Sequence, residues 1–380
     1  MIELLVNKKD VLEPLAQLQS IVDRKSNITI IHNVLLVTKD DLLEISATDL
    51  EINIKANVKC KVKNHGQITV NAKTLFEIIK EFPSDNLIFF EMDNFWIKIT
   101  GNNEEIEYKI AGLPADNFPT FPAPQNEVII EIETEILKEM IDRTITMIAI
   151  EDQGKKIALN GILCENITID GGSFLRMVSS NGYRLSMIDK QIIFKNNLDK
   201  QIIFSKKGAN ELKKLCDTSE RLDIGVEDNF CYIKNDKYEL NIRLIEDKFP
   251  DYRLIIPTNF SKIITINKTD LLNCLRRLVI LTDDIYSSVA VTFENNKIIL
   301  ETINTKVGMA KETIKIDYTD ENLKMIWNGR DLISILSLIK SNEINLKINT
   351  TKTPCVITER DNNDYLALFM PITLTGDNNE

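Results

Sequence analysis

Residues 249–257 read Phe-Pro-Asp-Tyr-Arg-Leu-Ile-Ile-Pro: a strand-like run ends at a proline, the chain turns through charged residues, and a second proline precedes a new apolar run. A segment of the same make-up, Gly-Leu-Pro-Ala-Asp-Asn-Phe-Pro-Thr-Phe-Pro, occupies residues 112–122. Proline fixes φ and lacks a ladder donor, so each stretch reads as a connector between folding units. Two such connectors divide the 380 residues into 1–124, 125–252 and 253–374, with a short acidic tail at 375–380 that is expected to be disordered.

The three pieces share one design. Apolar residues recur at helical spacing twice in each. The stripes are Val11, Leu12, Leu15, Leu18, Val22 and Leu75, Ile78, Ile79, Phe82 in the first piece, then Ile136, Leu137, Met140, Ile141 and Ala209, Leu212, Leu215, Cys216 in the second. The third has Leu271, Leu272, Leu275, Leu278, Val279 and Leu332, Ile335, Leu336, Ile339. The later helix of each pair opens alike, on NAKTLFEII, SKKGANELKK and NGRDLISIL. Between helices the pattern alternates: LIFFEM with FWIKIT, LDIGV with FCYIKN, and INLKIN with CVITER read as hairpins across polar turns. Each piece closes on another strand, IEYKIAGL, YELNIRLI or YLALFMPI. A period of roughly 130 residues is too long for a solenoid and predicts three similar α+β domains with antiparallel sheets in tandem.

Apolar content of 43% and charged content of 27% mark a globular chain. Nothing approaches the roughly 20 apolar residues of a membrane span, and MIELLVNKKD lacks the basic start and apolar core of a signal peptide, so a cytoplasmic protein is expected. The six cysteines, Cys60, Cys164, Cys216, Cys231, Cys274 and Cys355, form no CxxC pair and read as buried thiols. His32 and His65 are the only histidines and read as surface or packing residues.

No GxSxG, HExxH, P-loop or GxGxxG motif occurs, and Gly171-Gly172 falls in a hairpin turn, so neither catalytic residues nor a cofactor is expected. Asp361 and Asp364 in ERDNNDY are the one arrangement that could hold Mg²⁺, which would make the chain a carboxylate-dependent metal phosphodiesterase. A solvated hairpin tip is the simpler account, and no metal site is expected. Asp283 and Asp284 read as the turn that ends a helix.

The net charge of −11 argues on its face against nucleic acid. The charge is segregated, however. The helical windows 8–25, 73–82, 133–143, 206–217, 268–277 and 330–340 carry +1, 0, −2, +2, +2 and +1, which is +4 together and leaves −15 for everything else. A surface formed by the helices would be mildly basic on an acidic protein.

Seven motifs, ISATDLEI (45–52), GLPADNFP, ALNGIL (158–163), NGYRLS (181–186), FPDYRLIIP, LRR followed by VIL (275–281) and the terminal LFMPITL, resemble those of the bacterial DNA polymerase III β subunit, the sliding clamp. The resemblance runs from residue 45 to 374, and FPDYR together with the Met-Pro ending is its specific part. It implies a non-catalytic processivity factor: a ring-shaped, head-to-tail homodimer whose helices line a bore around double-stranded DNA. Topology, not sequence readout, would hold the duplex, so weak phosphate contacts suffice and permit sliding. Residues facing the DNA would be Arg24, Lys73, Lys155, Lys156, Lys207, Arg276 and Arg277, of which Arg24 and Lys73 sit where the family places basic residues.

The resemblance further implies an apolar pocket between the second and third domains that captures short linear segments of the replicative polymerase, the clamp loader and repair proteins. Its residues here would be Leu159, Ser180, Gly182, Arg184, Leu185, Pro250, Ile255, Tyr286, Asn328, Leu368, Phe369, Met370, Pro371 and Ile372. Tyr183, Leu254 and Thr373 depart from the family pattern, which has His in the loop and Arg at the other two positions. The ring joint would bring Tyr108 and Ile110, on an edge strand, against Ile280 and Leu281 of the other subunit. A scaffold that captures peptides without encircling DNA is the alternative outside enzymology.

Overall fold

The computed structural model describes residues 1–22, 26–101, 105–120, 128–149, 156–196, 198, 200–282, 287–304 and 307–372. Arg24, Lys155, Asp283, Asp284, Tyr286, Thr373 and the tail lie outside the described residues.

Six α-helices fall where the stripes place them: α1 Lys8–Ile21, α2 Ala72–Glu81, α3 Thr134–Ile145, α4 Lys206–Leu215, α5 Lys268–Leu278 and α6 Gly329–Leu338. Four begin in the same way. A strand ends on asparagine, whose side-chain oxygen accepts a hydrogen bond from a backbone N–H of the first turn: Asn7 from Lys9, Asn71 from Thr74, Asn267 from Asp270 and Asn328 from Asp331. This stops the strand and satisfies one of the helix's otherwise unpaired amides. The apolar stripes are buried, with Val11, Leu15, Leu18, Leu75 and Ile79 in one core and Leu271, Leu275, Leu278, Leu332, Ile335 and Leu336 in another. α1 packs on α2, and α5 on α6.

The chain forms two compact units, Met1–Leu137 with Ile193–Asn197 and Lys207–Leu244, and Lys138–Ile192 with Leu198–Lys206 and Ile245–Glu380. Packing therefore groups the chain differently from the sequence repeats, because strands pair across the joints between repeats. The first unit carries a 13-stranded sheet in which Tyr238–Arg243 pairs antiparallel with Ile52–Lys59, Leu240 opposite Ile54. The second unit carries an 8-stranded sheet and a 4-stranded sheet. In the 8-stranded sheet Arg184–Gln191 pairs with Tyr365–Phe369, placing Leu185 opposite Leu368 and Ser186 opposite Ala367.

The hairpins expected from alternation are present, among them Asn86–Met92 with Trp96–Thr100, Arg221–Glu227 with Phe230–Lys234, and Glu343–Ile348 with Cys355–Glu359. Asp170 and Gly171 turn the hairpin Gly161–Ile169 to Gly172–Ser180 with positive φ, which favours glycine at 171. Cys164, Cys216, Cys231, Cys274 and Cys355 are buried, Cys60 is half-buried, and all six are free thiols.

Candidate functional site

In the second unit a cleft of about 400 Å³ is lined by Ser180, Gly182, Tyr183, Arg184, Leu254, Ile255, Pro257, Asn349, Thr353, Pro354, Leu368 and Met370. Four segments distant in sequence build it.

The first is the turn after strand Gly172–Ser180. Asn181 Oδ1 accepts from the N–H groups of Tyr183 and Arg184, each at 3.0 Å. Ser180 Oγ accepts from Gly182 N–H at 3.0 Å and donates to Arg184 O at 2.9 Å. Such side-chain bonds replace a ladder and let the backbone reverse tightly. Gly182 has φ of 88°, a region costly for residues with a Cβ.

The second is the opening stretch, residues 249–257. Phe249 and Tyr252 are buried in a cluster with Leu163, Val178, Leu185, Ile203, Val356 and Leu368. The 3₁₀ turn Tyr252–Ile255 then carries Leu254 and Ile255 outward to the cleft. Burial pushes the Tyr252 phenol up to about 12, and its hydrogen bond to Glu165 acts in the same direction.

Strand Tyr365–Phe369 supplies the third segment. Leu368 forms the floor, and Met370 leaves the strand with its N–H donated to Tyr183 O at 2.9 Å, which fastens this wall to the first. The rim is the turn between Glu343–Ile348 and Cys355–Glu359, where Thr350 N–H donates to Thr353 Oγ1 at 3.0 Å. Asn349 anchors the rim through Asn259 O at 2.8 Å and Ser261 N at 2.7 Å.

Among the described residues Arg184 is the one charged side chain on the cleft wall, and it is engaged inside the protein, with Nη1 2.9 Å from Asp331 Oδ1. Burial pushes the Asp331 carboxyl above its ordinary value, and the Arg184 guanidinium opposes that rise. Leu254, Ile255, Pro257, Pro354, Leu368 and Met370 make the rest mainly apolar. A concave, neutral, apolar surface with a few polar atoms can take one or two apolar side chains of an extended segment.

Of the pocket residues expected from sequence, Ser180, Gly182, Arg184, Ile255, Leu368 and Met370 come together here. Leu185 and Phe369 are not among the residues that line the cleft: Leu185, opposite Leu368 on the same sheet face, is covered within the core cluster, while Phe369, on the other face, meets the Trp327 ring at 5.6 Å. Leu159 packs against that same cluster from its edge. Pro250 is half-buried, and Pro371 is buried. Ile372 donates its N–H to Ile326 O at 2.8 Å. Asn328 caps α6, and its contribution is to position Asp331, the partner of Arg184. Pro257, Asn349, Thr353 and Pro354 were not expected. Pro257 ends the stretch at 249–257, but the rim carries no local signal that places it beside residues 180–184.

The basic residues differ in their circumstances. Lys73 is exposed, 3.5 Å from Glu77 one turn along α2. Lys156 is exposed, and Arg276 is exposed on α5. Lys207 is paired with Asp49, and Arg277 donates two hydrogen bonds to Glu312, at 2.8 and 2.5 Å. The last two are neutralised locally.

Strand Glu107–Leu113 pairs along Trp96–Thr100, but on its other side only Gly112 and Leu113 find partners, Val70 and Thr69. Residues 107–111 thus present a free edge among the described residues. Tyr108 is exposed beside Phe82, ring centroids 5.8 Å apart, whereas Ile110 is buried in the core. Ile110 therefore supports the edge from behind. Ile280 is 74% exposed and Leu281 half-buried. Gly308–Lys315, which packs against the turn Val279–Leu281, is the terminal strand of the 4-stranded sheet and also has one free edge among the described residues.

Asp364 pairs with Lys190 at 3.1 Å, and its N–H donates to Asn362 within the hairpin tip. Among the described residues no group of three or more His, Cys, Asp or Glu is arranged to hold a metal ion. No helix among them is long and apolar enough to cross a membrane.

Family models described as the N-terminal, central and C-terminal domains of the DNA polymerase III beta subunit match residues 2–122, 131–251 and 253–373. The beta sliding clamp of Pseudomonas aeruginosa is 27% identical over 372 residues, covering 97% of this chain and 99% of that protein. That of Haemophilus influenzae is 26% identical over 377 residues with the same coverage. Among solved structures, the DNA polymerase sliding clamp of Caulobacter crescentus superposes with a TM-score of 0.92 at 25% identity, over 98% of this chain and 100% of that one. With all three domain models matched in order and relatives aligned end to end, the chain belongs to the DNA polymerase III beta subunit family.

Proposed function

We propose that this protein is a DNA sliding clamp: two copies close head to tail around duplex DNA, and replication and repair proteins are tethered to the ring by short apolar segments seated in the cleft beside Met370. It performs no chemistry; its contribution is processivity, and it acts in the cytoplasm where the chromosome is copied. The observation that carries this reading is the cleft itself, in which the 180–184 turn, the 249–257 stretch and the terminal strand converge on a neutral apolar hollow.

Two further features support it. The free edge at 107–111 and the free edge of Gly308–Lys315 are complementary in kind, so that pairing between copies would extend both sheets and remove two exposed edges at once. Tyr108 and Ile280, apolar and exposed, would be covered by that joint. The charge pattern fits as well. With −15 outside the helices, the shell repels DNA laterally, while exposed lysines and arginines on the helices tolerate it. Since Lys207 and Arg277 are closely paired and Lys73 lies 3.5 Å from Glu77, Lys156 and Arg276 carry most of the phosphate contact in this reading, together with Lys73, Arg24 and Lys155.

The test is retention on circular DNA. The protein should run at the mass of two subunits and, once loaded, stay on a nicked circle but leave when the circle is cut. A monomer released equally from both forms would end the proposal. A scaffold that binds peptides without encirclement would retain the cleft and fail the circle assay.

A further inference from the structure

Leu254 is 83% exposed on the cleft wall, an unusual setting for a leucine in a position fixed on both sides. Scattered exposed leucines mean little. This one is held. Tyr252, two residues before it, is buried, and its hydroxyl donates to Glu165 Oε1 at 2.5 Å while accepting from Arg176 Nη1 at 3.2 Å. Arg176 in turn grips Asp189 through two 2.6 Å hydrogen bonds. Arg253 stacks over the Tyr252 ring, 4.9 Å from its centre, and donates to Glu165 Oε1 at 2.7 Å. Gln201 donates to the other Glu165 oxygen at 2.7 Å. The turn is thereby pinned to two strands of the underlying sheet, and the Leu254 backbone N–H closes it onto Asp251 O at 3.4 Å.

An exposed apolar side chain on a backbone already pinned offers a ligand contact area without the cost of ordering the turn. The surrounding electrostatics decide which ligand benefits. Arg184 is committed to Asp331, Arg253 is committed to Glu165, and the other described residues that line the cleft are uncharged. An acidic or basic side chain laid on Leu254 would lose water and gain no partner, whereas an apolar one gains the buried area.

We propose that Leu254 is a specificity-determining residue for the segment this cleft takes: it selects a peptide with an apolar side chain next to the one that enters the cleft, over a peptide with a charge at that position. This rests on the reading of the cleft as a peptide site, so the experiment separates the two. Fluorescein-labelled peptides with Leu and Phe as anchors, and with either Leu or Asp at each flank in turn, are titrated by anisotropy against the full-length protein, Leu254→Ser, Leu254→Arg and Met370→Ala. The unaltered protein should prefer Leu over Asp at one flank by about tenfold, the worth of one partly buried leucine. Leu254→Ser should weaken only the Leu peptide and abolish the preference, and Leu254→Arg should reverse it. Met370→Ala should weaken both. If Leu254→Ser weakens both peptides equally, or neither, while Met370→Ala weakens both, Leu254 has no such role. If Met370→Ala leaves both unchanged, or no peptide binds, the cleft reading itself fails and this inference with it.

Discussion

Truncating Met370 to alanine isolates the contribution of the cleft from that of the fold. The side chain is 37% exposed, at the end of a strand and not within it. Removing its outer atoms should therefore cost only about 1 kcal/mol of stability, well below the value for a fully buried methionine. A bound segment that covers the exposed part, on the order of 60 Å² at about 25 cal/mol per Å², draws about 1.5 kcal/mol from it, or roughly tenfold in Kd. The assay is anisotropy of a labelled apolar peptide, with the oligomeric mass and the melting curve measured on the same preparation. Peptide affinity should fall about tenfold while the mass is unchanged and the melt shifts by no more than about 2 °C. An affinity unchanged within twofold would refute the placement of Met370 on the binding surface. Deleting residues 368–374 is a poorer test, since Leu368 is buried and pairs with both Leu185 and Val356, so the deletion would open the sheet as well as the cleft.

Gly182→Ala places a Cβ at φ of 88° and should cost about 1 kcal/mol, with a matching loss of peptide affinity as the turn shifts; an unchanged melt would show that the turn tolerates it. Burial alone would push the Glu139 carboxyl up, but the charges of Arg143, Lys190 and Lys340 outweigh it and hold the group below its ordinary value. Its folded-state value thus lies below its unfolded one, so its contribution is present above about pH 4.3 and is lost as the pH falls through the folded value. The stability difference between the unaltered protein and Glu139→Gln should accordingly shrink between pH 6 and pH 3, and a constant difference would contradict this. Arg276→Ala should speed the escape of loaded rings from the ends of linear duplex DNA at low salt, whereas Arg277→Ala, already neutralised by Glu312, should change it less; equal effects would count against local pairing as the deciding factor. Ile280→Asp places a charge on an exposed apolar surface and should yield monomers by light scattering while the melting curve is kept, and an intact dimer would remove Ile280 from the joint.

By itself the sequence determined what depends on neighbours along the chain. Six apolar stripes became six helices, because a helix face is set by residues three and four apart. Asparagine after a strand became a helix cap four times, and Phe-Pro-Asp-Tyr-Arg became a turn with its aromatic residues buried and Leu254 and Ile255 turned outward. The glycines at 171 and 182 marked two backbone reversals with positive φ. What only the tertiary structure decided is which distant segments meet. Alternation shows that a strand has two faces but not what packs on each, so Leu185, on the face of Leu368, turned out to be covered by the core cluster, and Phe369, on the opposite face, by Trp327. Arg184 meets Asp331, and Leu240 meets Ile54, through closures that no local pattern encodes. The rim at Asn349, Thr353 and Pro354 belongs to the site only because Cys355–Glu359, one of the two strands between which it turns, pairs with the strand that carries Leu368. A cleft built from four segments is a property of how sheets close, and the free energy that closes them comes from the summed burial of the cores behind it.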